Sequence, residues 1–109
     1  MLDFFRPAKK RAIDALATEL AEDVMKAYPA EAQQSGGNKK AERQLSAVID
    51  NICAKARDFH AAQRLDLYSK ARLNNTLLWH LRENGYESTL TDEITKKVII
   101  ALSAKAAKA

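Results

Sequence analysis

The sequence predicts an all-α protein that folds as a compact three- or four-helix bundle with mainly antiparallel helices. Only three Gly and two Pro occur in 109 residues, and four of these five lie within the first 37. Apolar side chains recur with the period of an α-helix along successive segments, and these apolar stripes must be buried against one another. A chain of this length can enclose one hydrophobic core, so residues 1–109 are predicted to form a single domain.

The first predicted helix covers residues 7–28. Pro7 suits a first helical turn, and Pro29 ends the helix because the residue before a proline is pushed out of the α region. The apolar stripe comprises Ile13, Leu16, Ala17, Leu20, Val24, Ala27 and Tyr28. Glu19, Glu22 and Asp23 lie opposite this stripe, where a solvated face is expected.

A loop over residues 29–37 is predicted to lead into a second helix over 38–61, with Asn38 as its N-cap. No Gly or Pro separates this helix from a third one over 66–84, although the apolar stripe shifts and Asp66 can act as an N-cap. One long, bent helix is the alternative. Gly85 in the left-handed conformation, with Tyr86 folded back on the last turn, is expected to end the third helix.

The fourth predicted helix covers residues 90–104, and the tail 105–109 is expected to fray. The segment from Thr89 to Asp92 resembles a capping box. The apolar stripe of this helix comprises Leu90, Ile94, Val98, Ala101 and Leu102. Ile99 and Ile100 fall away from it, so a partner helix is one way of covering them.

The third helix carries the main candidate for a functional surface. Leu67, Ala71, Leu78 and Leu81, with Leu77 beside them, are expected to face the core, and Asn74 near this seam needs a hydrogen-bond partner. A second stripe, about a quarter-turn away, holds Tyr68, Arg72, Asn75, Trp79 and Arg82. Tyr, Trp and Arg are enriched at binding hot spots and also stack on bases. The alternative is that these aromatic side chains pack inside the protein.

The basic residues suggest a second type of partner. Lys and Arg exceed Asp and Glu by 18 to 14, and the excess is concentrated in the segment 39–82. Asn38, Lys39 and Lys40 follow two glycines at a helix start, where they are a possible anion contact. Nucleic acid is therefore an alternative partner.

Residues typical of catalysis are scarce. Cys53 is the only cysteine, and it lies seven residues from His60, about 10 Å along a helix, which is too far for a thiol–imidazole pair. We predict no catalytic, cofactor-binding or metal-binding residues and no enzyme activity. The lone cysteine and the lack of a long apolar run predict a cytoplasmic protein without a transmembrane segment.

The leading hypothesis is a non-enzymatic helical interaction module that binds a protein partner or self-associates. Its predicted contacts are Tyr68, Arg72, Asn75, Trp79, Arg82, Ile99 and Ile100. The alternative is a nucleic-acid-binding helical protein that uses the basic segment 39–82.

Overall fold

The computed structural model describes residues 7–35 and 38–103, and within these ranges it contains four α-helices and one 3₁₀ helix. The α-helices are α1 (Pro7–Ala27), α2 (Lys39–Gln63), α3 (Leu67–Glu83) and α4 (Ser88–Ser103), and the 3₁₀ helix is Ala30–Ser35. This arrangement confirms the predicted all-α bundle. Residues 36 and 37 of the predicted loop and the predicted tail 105–109 lie outside the described residues.

The four helices form a square in which α1 and α4 each pack between α2 and α3. Asp14 of α1 contacts Arg72 of α3, and Thr18, one turn later in α1, contacts His80, so α1 and α3 run in the same direction. The consecutive helices α3 and α4 are neighbours, but α2 and α3 lie across a diagonal although only three residues join them.

The core consists of one apolar stripe from each helix. Its largest fully buried side chains are Ile13, Leu20, Val24, Ile52, Leu73, Leu77, Leu81, Ile94, Val98 and Leu102. Two threonines of α4, Thr91 and Thr95, are also buried, and their hydroxyls donate to the carbonyls of Ser88 (3.0 Å) and Thr91 (2.9 Å). Back-bonding within the helix gives each of these hydroxyl donors an acceptor in the same helix.

The buried face of α3 differs from the predicted one. Leu73, Leu77 and Leu81 are completely buried, whereas Leu67 is 82% exposed and Ala71 is exposed. Two overlapping rows of apolar residues run along this helix, the predicted one that begins with Leu67 and Ala71 and the buried one that begins with Leu73. The helical period alone does not determine which row is buried. The choice is made by α1 and α4, which cover α3 from two sides and bury the face between them.

The link between α2 and α3 shows that they are separate helices. Arg64 adopts a left-handed conformation (φ 52°) after α2, which extends two residues beyond the predicted end at 61. The His60 carbonyl accepts from the Arg64 N–H (2.7 Å), and the His60 ring accepts from the Leu65 N–H at Nδ1 (3.0 Å). Asp66 then caps α3, as predicted, by accepting from the Ser69 N–H (2.8 Å). These hydrogen bonds end one helix and begin the next without a glycine.

The end of α3 has the predicted geometry. Gly85 has φ 94°, and the Tyr86 N–H donates to the Leu81 carbonyl (3.2 Å), as in a Schellman motif. The buried Tyr86 ring extends toward the end of α1, where its hydroxyl donates to the Tyr28 carbonyl (2.5 Å).

The segment between α1 and α2 is more ordered than the predicted loop, because it contains the 3₁₀ helix. Gln33 in this helix binds the α3–α4 turn through both ends of its amide. Its Nε2 donates to the Gly85 carbonyl (3.1 Å), and its Oε1 accepts from the Glu87 N–H (2.7 Å). The side chain thus pairs with the turn as an extra peptide group would.

The predicted capping box before α4 is wrong. The helix begins at Ser88, and the Thr91 N–H donates to the Glu87 carbonyl (3.0 Å), which leaves Thr89 inside the first turn. An N-cap residue must precede the helix, so Thr89 cannot cap it. The contact between Gln33 and the Glu87 N–H holds the chain at the true helix start.

We predict that Leu77→Ala lowers the free energy of unfolding by about 2–5 kcal/mol, because it leaves a cavity in a fully buried site. Leu67→Ala is the matched control on the same helix and should change it by less than about 0.5 kcal/mol, since Leu67 is exposed. Urea denaturation measures both values. Equal losses would contradict the buried face described for α3.

We predict that Tyr86→Phe lowers the free energy of unfolding by about 1 kcal/mol, since the Tyr28 carbonyl loses its donor. Burial, followed by the nearby Glu31 charge, raises the pKa of Tyr86 to about 12. Absorbance titration should therefore show one tyrosine ionising late, and this signal should be missing in the variant. Tyr68→Phe, at an exposed position, is the control and should leave the late ionisation in place.

We predict that acid weakens the fold through His60. Burial and, next, the charge of Lys70 lower the pKa of His60, and its Nδ1 can accept the Leu65 N–H only when unprotonated. The unfolded chain therefore binds the proton first, and the free energy of unfolding falls as the pH drops below the ordinary value of about 6.5. Once the pH is below the depressed pKa of His60 in the folded protein, the stability that the unprotonated ring contributes is fully lost.

Urea denaturation at several pH values, from about pH 5 to about pH 8, measures how the free energy of unfolding depends on the protonation of His60. His60→Gln cannot titrate, so its stability should vary less with pH over that range. An unchanged slope in His60→Gln would rule out the assignment.

Candidate functional site

The most unusual surface of the protein is an uncharged line of exposed side chains along α3. Leu67, Ala71, Asn75 and Trp79 follow one another at intervals of four residues, so they form one ridge on the helix surface, which we call the α3 ridge. Leu67 is 82% exposed and Trp79 is 55% exposed. Tyr68 lies beside the ridge and is 56% exposed.

Sequence reasoning placed Tyr68, Asn75 and Trp79 on this surface but assigned Leu67 and Ala71 to the core. The interval of four residues that joins Leu67 and Ala71 to Asn75 and Trp79 was the available signal. Large apolar residues in a helix predict burial, and this expectation outweighs the spacing.

Arg82 supports the aromatic end of the α3 ridge. The carbon of its guanidinium group lies 5.7 Å from the centroid of the Trp79 ring, which is within the range of a cation–π contact. The same guanidinium group donates to Asp92 Oδ1 (3.3 Å) and to Thr91 Oγ1 (3.4 Å) on α4. Arg82 therefore links Trp79 to the neighbouring helix and limits the positions that the indole ring can take.

Arg72, another predicted contact, is part of the α1–α3 interface. Its Nε and Nη2 atoms donate to the two carboxylate oxygens of Asp14 at 3.0 and 2.9 Å. These hydrogen bonds raise the pKa of Arg72. Thr18 on α1 continues the polar contact by meeting His80 Nε2 at 3.1 Å. Because the Arg72 guanidinium group already binds the Asp14 carboxylate through two hydrogen bonds, the main role of Arg72 in this structure is to hold α1 against α3.

The two predicted contacts on α4 lie apart from the α3 ridge. Ile99 is half-buried, whereas Ile100 is 57% exposed. Asp92, which contacts Arg82, lies on α4 eight residues before Ile100, about 12 Å along the helix. Ile100 is two residues, about 200°, from the buried Val98 and so lies on the outer face of α4. Ile100 and Trp79 are therefore exposed on different helices.

Asn74 lies on α3 at the edge of the buried face. We expected its amide to need a hydrogen-bond partner, and its buried Oδ1 has none among the described residues. The residue as a whole is only half-buried. This unsatisfied carbonyl adds a cost to the fold but does not define a binding site.

Several charges of the basic segment are used within the protein. Lys55 on α2 binds Glu19 (2.7 Å) and Asp23 (2.6 Å) on α1. The acidic face of α1 therefore contacts α2, whereas the sequence predicts that this face is solvated. These hydrogen bonds, first to Asp23 and then to Glu19, raise the pKa of Lys55. Together with the pairs of Arg72 and Arg82, three of the basic side chains thus contact acids of a neighbouring helix.

The possible anion contact at the start of α2 is also partly used. Asn38 caps the helix as predicted, and its Oδ1 accepts from the N–H groups of Lys40 (2.9 Å) and Ala41 (3.2 Å). Those two N–H groups are therefore engaged and do not point at a bound anion. Lys39 and Lys40 are exposed.

Metal ligands, a cysteine and two hollows among the described residues bear on small-molecule chemistry. Within residues 7–35 and 38–103, no group of three or more His, Cys, Asp or Glu side chains is arranged to hold a metal ion. Cys53 is half-buried against the core, and burial raises the pKa of its thiol. Hollows of about 190 Å³ beside α2 and about 260 Å³ near Gln33 are smaller than usual ligand pockets. No helix in the described part of the chain combines the length and the apolar character that a membrane crossing requires.

Comparison of the chain with protein-family models, with characterised proteins and with solved structures finds no match. A functional conclusion must therefore come from the chemistry of the surface itself. The α3 ridge and the neighbouring Tyr68 are the group of residues that supports one.

Proposed function

We propose that this protein is a non-enzymatic interaction module that binds a protein partner through the α3 ridge and Tyr68. The observation behind the proposal is the exposure of Leu67, Tyr68 and Trp79 on one face of one helix. Isolated exposed apolar residues are common on soluble proteins, but three large ones on one helix face form a patch that water solvates poorly.

The residue types favour a protein partner. Trp and Tyr supply large, rigid contact areas that lose little conformational entropy when they are bound, and they dominate binding hot spots. Arg82, held over the Trp79 ring, fixes the orientation of the indole before a partner arrives. Preorganisation of this kind lowers the entropic cost of binding.

The charge pattern favours protein over nucleic acid. The α3 ridge has no charged side chain, and the two arginines beside it already contact Asp14 and Asp92. Binding of a phosphate backbone relies on Lys and Arg side chains that can replace counterions. The basic segment supports that alternative less well than the apolar surface supports protein binding.

A photo-crosslinking experiment tests the proposal. A benzophenone amino acid replaces Asn75 in the α3 ridge or, as a matched control, the exposed Asn51 on α2, and the protein is irradiated in an extract of its source cells. We expect discrete protein adducts from position 75 and few from position 51. Equal adduct patterns from the two positions, or adducts from neither, would reject the proposal.

The same experiment predicts the role of Trp79. Adding Trp79→Ala to the position-75 protein should reduce the adducts at least about tenfold, because a hot-spot tryptophan contributes about 2 kcal/mol or more. Since Trp79 is half-exposed and lies on the surface, the variant should still fold, and circular dichroism checks this. Undiminished adducts would show that Trp79 is not part of the docking surface.

A further inference from the structure

We propose that the three residues between α2 and α3, residues 64–66, form a hinge whose opening allows two copies of the chain to exchange their α3–α4 pairs. In the open form, α2 and α3 become one continuous helix over residues 39–83, and the α3–α4 pair of each copy packs on the α1–α2 pair of the other. This inference goes beyond the proposed function and does not depend on it, because the α3 ridge belongs to a single helix and is present in both forms.

The bundle divides at the hinge into two pairs of helices. Contacts of α1 with α2 and of α3 with α4 lie within the pairs, whereas contacts of α1 with α3 and of α2 with α4 join them. Lys55 binds acids of α1 from α2, and Arg82 binds α4 from α3, so both act within a pair. Arg72 reaches from the second pair to Asp14 in the first. An α3–α4 pair from a second copy can make the same contacts, which is the condition for domain swapping.

The contacts at the end of the bundle away from the hinge can be exchanged in the same way. Gln33, in the segment that joins α1 to α2, binds the α3–α4 turn through both ends of its amide. Tyr86, in that turn, donates to the Tyr28 carbonyl at the end of α1. Each of these contacts joins one pair of helices to the other, so a second copy can supply the same partner in the same geometry.

The closed hinge holds one residue in an unfavourable backbone conformation. Arg64 has φ 52°, in the left-handed region, where the Cβ atom of an L-residue comes too close to the following carbonyl oxygen. A glycine at this position would have no Cβ and no such clash. Short hinge loops under strain favour domain swapping, because opening the loop relieves the strain. The strain disappears when Arg64 becomes part of a helix.

The hinge residues can continue the helix. No Gly or Pro occurs in residues 38–84. The Arg64 N–H already donates to the carbonyl of His60, four residues earlier, as in an α-helix. In a continuous helix the Leu65 N–H exchanges the His60 ring for the carbonyl four residues before it, and α3 no longer needs Asp66 as its N-cap. Every group that closes the hinge therefore has a regular helical partner once the hinge opens.

The balance between the two forms depends on the hinge and on the protein concentration. The hydrogen bonds of His60 and Asp66 stabilise the closed hinge, and a single closed chain loses no translational freedom by association. The contacts between the pairs are the same in both forms, so they do not shift the balance. Exchange requires the pairs to separate, which makes it slow in the native protein and fast during refolding.

Removing one of two N-caps tests the hinge. Asp66→Ala removes a cap that only the closed form uses, whereas Asn38→Ala, the matched control, removes the cap of α2, which both forms use. Both proteins and the wild type are refolded from urea at high protein concentration and examined by sedimentation. A cap contributes a factor of about five in each chain, and a dimer opens two hinges, so we expect Asp66→Ala to raise the dimerisation constant at least about tenfold. Asn38→Ala should leave it unchanged.

Equal dimerisation of the two cap variants would overturn the inference. Dimers that form in neither the wild type nor Asp66→Ala would overturn it as well.

A glycine at the hinge should have the opposite effect. Arg64→Gly removes the strain from the closed form and weakens the helix of the open form, so we expect the dimerisation constant to fall at least about tenfold. Arg57→Gly is the matched control, because Arg57 is exposed and lies within α2, where it is helical in both forms. This control should keep the dimerisation constant of the wild type. An unchanged constant in Arg64→Gly would contradict the role of the hinge.

A distance within one chain distinguishes exchange from ordinary association. In a Cys53→Ser background, dyes are attached to Lys40→Cys and Glu83→Cys, which are exposed positions, and the labelled chain is refolded with an excess of unlabelled chain. The two positions are 43 residues apart, so one continuous helix separates them by about 65 Å. The closed chain is only 49 Å long. We expect energy transfer to be much weaker in the dimer fraction than in the monomer fraction, and equal transfer in the two fractions would overturn the inference.

Discussion

The burial of Leu73, Leu77 and Leu81 between α1 and α4 is the constraint on which the surface of this protein depends. A helix that packs against two neighbours can bury only one face, so this row determines the rotation of α3 about its axis. Once these leucines face inward, the row from Leu67 to Trp79 must face outward. The exposed aromatic and aliphatic side chains therefore follow from core packing.

Polar contacts along both edges of α3 maintain the same rotation. The fork of Arg72 on Asp14 and the contact between His80 and Thr18 join one edge to α1, while Arg82 joins the other edge to α4. Exposed ion pairs contribute little free energy, but their geometry is specific. Their effect here is to prevent α3 from turning toward the alternative apolar row. They also leave the α3 ridge as an uncharged strip between two arginines that already contact acids.

The ends of the helices are joined in two different ways. At the α2–α3 link, the His60 ring and carbonyl bind the backbone directly, and Arg64 takes the left-handed conformation that a glycine would usually supply. At the opposite link, Gln33 of the 3₁₀ helix holds the α3–α4 turn, and Tyr86 reaches the end of α1. Both links depend on side chains that bind backbone groups and so help to fix the directions of the helices, and the Tyr86 ring is also part of the core.

The sequence by itself determined the helical class, the caps at Asn38 and Asp66 and the stop at Gly85, because these features depend on residues close to one another along the chain. It also placed Tyr68, Asn75 and Trp79 on one face. Only the tertiary structure decided that Leu67 and Ala71 join that face, that Arg72 binds Asp14, and that the loop after α1 contains a 3₁₀ helix held at Gly85. The physical reason is that helix rotation and ion pairing depend on which neighbour lies against which face, and the period of a single helix does not contain that information.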